Sequence, residues 1–220
     1  MKMKKKLLSL GIILVSALTF TACNDDYDCE DAQPSVSNSD ADVQPSVSNS
    51  DVYVSCAGNW NANDGTIGIL DYDLNKRPTA PYVFSNAYKS QNEIGIGDAQ
   101  DLIVFGNKII VTSTTSSKVE VLNRQGKKEL TIKLHNVSPR YLTKDGNFVY
   151  FSAYNGKVYK MDPNNTQKPL VDSVEVGDHP EALSVANGKL YTNISGYGKG
   201  STIAVVDCNS FKKTKTLTVG

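Results

Sequence analysis

The sequence lacks most of the short motifs that mark catalytic and metal-binding sites. Its 220 residues include only two histidines, His135 and His179, and no His-x-x-x-His or Cys-x-x-Cys pair occurs. A glycine-rich phosphate-binding loop and the Gly-x-Ser-x-Gly turn of serine hydrolases are also missing. These absences argue against an enzyme, and we expect no catalytic residue, no metal site and no cofactor.

An excess of positive charge is missing as well. The chain has 23 basic and 23 acidic residues. Four of the lysines, Lys2, Lys4, Lys5 and Lys6, fall in the first few residues, so the remainder is acidic overall. Nucleic acids are bound mainly by clustered Lys and Arg side chains, and no dense basic patch is visible. The composition therefore predicts that nucleic acid is not a partner.

The first residues have the features of an export signal. The basic start is followed by an apolar run over 7–20, the small residues Thr21 and Ala22, and Cys23. A spanning helix needs about 20 apolar residues, and this run is shorter. Phe20–Cys23 resembles the lipobox of bacterial lipoproteins, although Phe20 departs from the usual leucine. We expect a signal peptide over 1–22 and an acylated Cys23; the alternative is a short membrane anchor.

A second segment has almost no large apolar side chains. The stretch from Gln33 to Asp40 is repeated from Gln44 to Asp51, and Pro, Ser, Asn and Asp dominate. Such a composition cannot bury enough surface to offset the entropy of ordering, so residues 23–50 are predicted to be a flexible tether. The acidic run 24–28 resembles the surface-export signal of Bacteroidetes lipoproteins; the alternative is a solvated spacer.

The rest of the chain carries one turn motif three times. Gly106, Gly146 and Gly188 follow one apolar strand pattern and precede another, at a period of about 40 residues. The segments between these turns alternate as strands do, and none shows a sustained helical period. This pattern predicts an all-β chain, a β-propeller of four-stranded antiparallel blades with about four blades present. The alternative is a β-sandwich with accidental turn similarity.

The predicted blades divide the domain 51–220 into 51–97, 98–136, 137–178 and 179–220. The first of them lacks a clear innermost strand. Cys56 and Cys208 lie in strand patterns of the first and last blades, where a buried cysteine usually packs as a small apolar residue. A disulfide between the two is the alternative that an exported protein allows.

Several short motifs resemble those of YncE-type propellers. They are Asp98–Leu102 with Gly106–Lys108, Ser138–Arg140, His179–Glu181, and Val206–Asp207 with Asn209–Phe211. The loop Gly58–Gly65 resembles lipoprotein members of the surface-layer and quinoprotein-dehydrogenase-like propellers. The resemblance covers roughly residues 51–220 and implies seven blades, more than this chain holds. We therefore expect a truncated propeller that is marginally stable or self-associating.

A propeller places its functional loops on one face. The loops between the second and third strands of each blade come out there, together with the blade-to-blade connections that contain His135 and His179. Aromatic rings near a few polar groups suit a flat or sugar-like ligand; the alternative is that these residues only shape turns. The candidate ligand-binding residues on this face are Asn59, Trp60, Gln100, Arg140, Tyr154, Glu181 and Tyr197.

These features predict a non-enzymatic binding module. The export signal and Cys23 imply an outer-membrane lipoprotein, periplasm-facing or exposed at the cell surface, with the lipid bilayer as a partner. The resemblance implies capture of cobalamin or a glycan beside a TonB-dependent transporter. Two alternatives remain open. One is a quinoprotein-dehydrogenase-like oxidoreductase, which needs a cofactor-stacking tryptophan and a calcium site, and the other is a protein-protein interaction scaffold.

Overall fold

The three glycine turns join the first two strands of three successive sheets. Gly106, Gly146 and Gly188 have φ values of 57°, 55° and 69°. A side chain at any of them would meet no atom within 4 Å, so backbone conformation and not space requires glycine there. Asn187 also has a positive φ, 51°, as the first residue of a type I′ hairpin turn must.

The computed structural model describes residues 52–59, 62–72 and 82–219. The predicted signal peptide 1–22, the whole tether 23–50 with Cys23, and Trp60 lie outside these ranges. The first sheet has three strands and each of the other three has four, and within every sheet the strands neighbour one another in chain order. All neighbouring strands are antiparallel. The predicted fold class, an all-β propeller of about four blades, is confirmed.

The first two sheets contain seven strands and one helix. Their bounds are β1 Val52–Cys56, β2 Thr66–Tyr72, β3 Tyr82–Asn86, α1 Ala87–Asn92, β4 Ala99–Phe105, β5 Lys108–Ser113, β6 Lys118–Asn123 and β7 Lys128–Lys133. The third sheet comprises β8 Pro139–Asp145, β9 Phe148–Ala153, β10 Lys157–Met161 and β11 Leu170–Glu175. The fourth comprises β12 Pro180–Ala186, β13 Lys189–Ile194, β14 Thr202–Asp207 and β15 Lys212–Thr218.

Helix α1 was not predicted, because six residues are too few to show a helical period. The Asn86 side chain accepts a hydrogen bond from the backbone N–H of Lys89, which caps the first turn. The helix ends where Glu93 adopts a left-handed conformation, with a φ of 63°. The helix buries Tyr88 against the second sheet. No helix in the described part of the chain is long and apolar enough to cross a membrane.

Within the described ranges the first sheet has three strands, in line with the predicted lack of an innermost one. The loop after β1 lies against the start of the second sheet, where the Gly65 N–H donates to the Gly97 carbonyl oxygen over 2.6 Å. Tyr53 of β1 packs against the apolar cluster between the first two sheets. Strand β1 therefore occupies the same place in the first sheet as β5, the second strand, occupies in the second sheet.

Three apolar clusters hold successive sheets together. Strand β5 shows how: Ile109 and Val111 pack towards the first sheet, whereas Ile110 packs towards the third. All three are fully buried. Alternate residues of a strand point to opposite faces, so a strand between two sheets must be apolar on both. Cys208 is buried in the cluster between the third and fourth sheets. Cys56 and Cys208 are free thiols and not a disulfide; Cys208 is buried as expected, whereas Cys56 is half-buried.

Candidate ligand-binding site

Irregularities at the start of three innermost strands position the candidate polar residues. The register of β4 shifts between Ala99 and Asp101, and comparable shifts occur in β8 and β12. The residues within the shifts include Gln100, Arg140 and Glu181, three of the candidate ligand-binding residues, and each is the second residue of its strand. A bulge turns a side chain away from the regular alternation of the strand, and bulges are common beside functional sites.

The structure brings these three side chains together in one network. The Arg140 guanidinium donates from Nε to Oε2 of Glu181 over 3.0 Å and from NH1 to Oε1 of Gln100 over 2.6 Å. The side chains of Arg140 and Glu181 are only 13% and 19% exposed. Each residue belongs to a different sheet, so the network exists only when three blades are in place.

Tyr154 joins the network from the loop after β9. Its hydroxyl donates to Oε1 of Glu181 over 2.8 Å, and its ring lies 4.6 Å from the Arg140 guanidinium carbon. Burial, reinforced by the hydrogen bond to Glu181, raises the pKa of Tyr154 to about 12. The positive charge of Arg140 opposes this shift. The phenol therefore stays protonated, as a donor, across the physiological range.

An aromatic cluster extends the network towards solvent. The His179 ring lies 4.8 Å from the ring of Tyr154 and 3.8 Å from that of Tyr197, centroid to centroid. Tyr197 is 73% exposed. His179 and Tyr197 both have left-handed backbones, with φ values of 50° and 56°, which is costly for side chains of this size. Conformations of this kind cluster at binding sites, and here they bring two rings together.

Backbone hydrogen bonds hold the loop that carries Tyr197. The Ser195 N–H and hydroxyl both donate to the His179 carbonyl oxygen, and the Gly196 N–H donates to the Asp178 carbonyl oxygen. The Nδ1 atom of His179 lies 2.6 Å from Oδ1 of Asp178, which orients the imidazole ring. The second-to-third-strand loop of the fourth sheet and its blade-to-blade connection thus form one structure.

The backbone of Arg140 is fixed by the second sheet. Its carbonyl oxygen accepts from the Thr112 hydroxyl, and the Pro139 carbonyl oxygen accepts from the Thr114 hydroxyl over 2.7 Å. Asp101 accepts from the backbone N–H of Leu142 over 2.8 Å. Burial raises the pKa of the Asp101 carboxyl, although that bond opposes the shift. No local motif predicts these hydrogen bonds or the ring contacts of His179, because they join residues of different sheets or loops.

One predicted residue, Asn59, does not join this network, and a second, Trp60, cannot be placed relative to it. Asn59 bonds within its own loop: its backbone N–H and side-chain amide donate to the two carboxylate oxygens of Asp64 over 2.7 and 2.8 Å. Those bonds lower the pKa of Asp64. Trp60 lies outside the described residues, so its predicted ligand role and the oxidoreductase alternative that depends on it remain predictions. Within the described ranges, no three His, Cys, Asp or Glu side chains are grouped as a metal site would require.

The raised pKa of Tyr154 predicts a specific alkaline dependence of stability. An unfolded tyrosine titrates near pH 10, so the contribution of the folded phenol is complete below about pH 10 and is lost as the pH rises towards 12. We expect the stability difference between the wild type and Tyr154→Phe to be constant at neutral pH and to shrink between pH 10 and 12. Urea denaturation at stepped pH measures this difference.

A second variant checks the cause. In Glu181→Gln the carboxylate acceptor is replaced by a neutral amide oxygen, so the midpoint of the Tyr154 titration, followed by phenolate absorbance, should fall towards the ordinary value. A stability difference that stays flat through pH 12 would contradict the assigned environment of Tyr154.

Comparisons with known proteins concern the fold. No family model matches the chain, and no curated protein matches it in sequence. Among solved structures it is similar to AztD of Citrobacter koseri, with a TM-score of 0.54 and 20% identity over 77% of this chain and 44% of that one. The apo form of the same AztD has the same TM-score, with 19% identity over 77% of this chain and 45% of the other.

The chain is also similar to the computationally designed protein Ika8. The TM-score is 0.50 and the identity 15%, over 74% of this chain and 48% of the designed one. These neighbours are β-propeller-like, and at such identities the likeness establishes the fold alone. The chain spans less than half the length of each of the three structures.

Proposed function

We propose that the chain is a non-enzymatic binding module whose blades hold a small ligand against the cluster of Tyr154, His179 and Tyr197. The observation that carries the proposal is the meeting of three aromatic rings with a hydrogen-bonded network from three successive sheets. Ring faces supply apolar contact and the network supplies directed polar groups, the combination found in small-molecule sites.

The charge balance of the network favours an uncharged ligand. The Arg140 guanidinium is already paired with the Glu181 carboxylate. Asp178 is exposed beside His179 and adds negative charge at the rim. An anionic ligand would have to compete with Glu181 for Arg140 and approach Asp178. A neutral saccharide meets neither obstacle, and the neutral face of a cobalamin would be accommodated in the same way.

We also propose that this module is anchored to the outer membrane. The signal peptide and Cys23 are features of an outer-membrane lipoprotein, and the resemblance to YncE-type lipoprotein propellers suggests nutrient capture beside a TonB-dependent transporter. Globomycin treatment and palmitate labelling of cells expressing the wild type or Cys23→Ser test the anchor. Labelling of the wild type but not of the variant is expected, and equal labelling of both would refute acylation at Cys23.

We expect Tyr197→Ala to weaken ligand binding by about tenfold or more, because truncating an exposed aromatic contact at the centre of a site typically costs over 1 kcal/mol. Isothermal titration of the full chain with a panel of neutral oligosaccharides and cobalamins provides the measurement. Val171→Ala removes an exposed apolar side chain from an outer strand of the third sheet and is the matched control. It should bind as the wild type does.

Two results would count against the proposal. One is the absence of binding to any saccharide or cobalamin in the panel by a chain that unfolds cooperatively. The other is an affinity in Tyr197→Ala equal to that of the wild type. An equal loss of ligand affinity in Tyr197→Ala and Val171→Ala would mean that the ligand binds elsewhere, and it would also contradict the proposed site.

A further inference from the structure

The internal interfaces of this protein repeat one arrangement. In the second and third sheets, the side chains of the second strand alternate in direction. One set faces forwards, to the next sheet along the chain, and the other faces backwards, to the preceding sheet. In the second sheet Ile110 points forwards and is paired across the strands with Val121. In the third sheet Tyr150 holds the same position. All three side chains are at most 1% exposed.

The fourth sheet presents the same forward face, and no other sheet in the described ranges packs on it. Tyr191 occupies the position of Ile110 and Tyr150, and it is paired with Val205 just as Ile110 is paired with Val121. Tyr191 remains half-buried, unlike its two equivalents. The face contains an open groove of about 380 Å³, lined by Lys189, Tyr191, Val205, Thr214, Lys215 and Leu217. Among the described residues, nothing fills this groove.

The first sheet presents the matching backward face. In the second sheet the backward residues of the second strand are Ile109 and Val111, both fully buried. Strand β1 corresponds to β5, and Tyr53 takes the forward position. The backward positions of β1 are therefore Val52 and Val54, which are 46% and 37% exposed. The first and last of the described sheets thus carry the two halves of the repeated interface, one on each sheet.

The charges decide how two copies would meet. Lys189 and Lys215 line the groove of the fourth sheet. If two fourth sheets packed face to face, the lysines of both copies would be brought together and would repel each other. Packing of the fourth sheet on the valines of a first sheet avoids this repulsion. It also repeats the forward-to-backward contact that the chain already uses between its own sheets.

We propose that two copies of this chain associate head to tail, with the fourth sheet of each packed against Val52 and Val54 of the other. The two identical contacts close a ring with two-fold symmetry, which leaves no heterologous face open for further growth. The inference is independent of the proposed ligand.

Native mass spectrometry and sedimentation velocity of the purified full chain test the association. The wild type should have twice the mass of one chain. Val54→Asp changes only the backward face of the first sheet. Ile203→Asp changes only the forward face of the fourth sheet, because Ile203 lies on the strand beside Tyr191. Each variant alone should be monomeric, because an unpaired carboxylate is costly in an apolar contact. An equimolar mixture should form a heterodimer, since one intact contact remains between the two variants.

A control variant and two outcomes make the test decisive. Val171→Ala changes an exposed apolar residue away from both faces and should remain dimeric. A monomeric wild type at micromolar concentration overturns the proposal. A dimer that survives Val54→Asp but not Ile203→Asp also overturns it, because that pattern means that two fourth sheets meet. If an aspartate variant fails to fold, the milder Val54→Ser and Ile203→Ser should weaken the dimer at least tenfold.

Discussion

Phe151→Ala should lower the free energy of unfolding by about 3–5 kcal/mol, the range for truncating a buried phenylalanine. Phe151 is fully buried in the apolar cluster between the second and third sheets. Its ring stacks on that of Tyr159 with centroids 4.9 Å apart and an angle of 7° between the planes. Alanine at this position would leave a cavity between the two sheets. The sheets cannot move together to close it, because backbone hydrogen bonds between neighbouring strands hold each sheet rigid.

Urea denaturation followed by circular dichroism measures the loss. Domains of this size are typically stable by only about 5–15 kcal/mol, so we expect the alanine variant to retain little stability. Phe151→Leu keeps more of the apolar volume and should fold with a smaller loss. Val171→Ala, from the exposed face of β11, should stay within about 0.5 kcal/mol of the wild type. Equal losses in Phe151→Ala and Val171→Ala would mean that the cluster does not hold the blades together.

Lys118→Met should destabilise the chain by about 3 kcal/mol, the lower part of the range for removing one partner of a buried ion pair. Glu120 is 1% exposed and accepts from Lys118 Nζ over 2.7 Å and from the Tyr88 hydroxyl over 2.6 Å. Burial, together with the bond to Glu120, raises the pKa of Tyr88, so the phenol remains a donor. The variant leaves the Glu120 carboxylate with Tyr88 as its remaining partner in these contacts.

A double-mutant cycle separates the pair from its surroundings. Glu120→Gln keeps an acceptor for Tyr88 but removes the buried charge, so Lys118→Met/Glu120→Gln should be more stable than Lys118→Met alone. Lys133→Met replaces an exposed lysine in the neighbouring strand and should change stability by less than about 0.5 kcal/mol. Additive losses in the cycle would show that the pair is not coupled, contrary to the expected result.

The burial of the ion pair between Lys118 and Glu120 could not be predicted from the sequence. Lys118 and Glu120 lie two residues apart on β6, where the alternation of a strand places them on the same face. Read from the sequence alone, such a pair resembles an exposed polar strand face. The pair lies on the face of β6 that meets the first sheet, where Tyr88 of α1, a helix too short to leave a periodic pattern, donates its hydroxyl to Glu120.

The candidate site was predicted in part. The equivalence of Gln100, Arg140 and Glu181 follows from their place after Ala99, Pro139 and Pro180, and the structure brings the three side chains into one network. Their pairing with one another could not be predicted, because it depends on the angle between sheets. The contact between His179 and Tyr197 was also hidden, since it requires left-handed backbones at two residues that are not glycine.

The sequence alone determined the repeated sheet, because turn chemistry and strand alternation are local: Gly106, Gly146 and Gly188 each need only their immediate neighbours. The fold class and the number of blades follow from that repetition. Tertiary structure decided which side chains meet, such as the partners of Arg140, and which are buried or exposed, such as Glu120 and Val54. Contacts between sheets join residues about 40 positions apart, and their geometry depends on sheet packing that no local pattern contains.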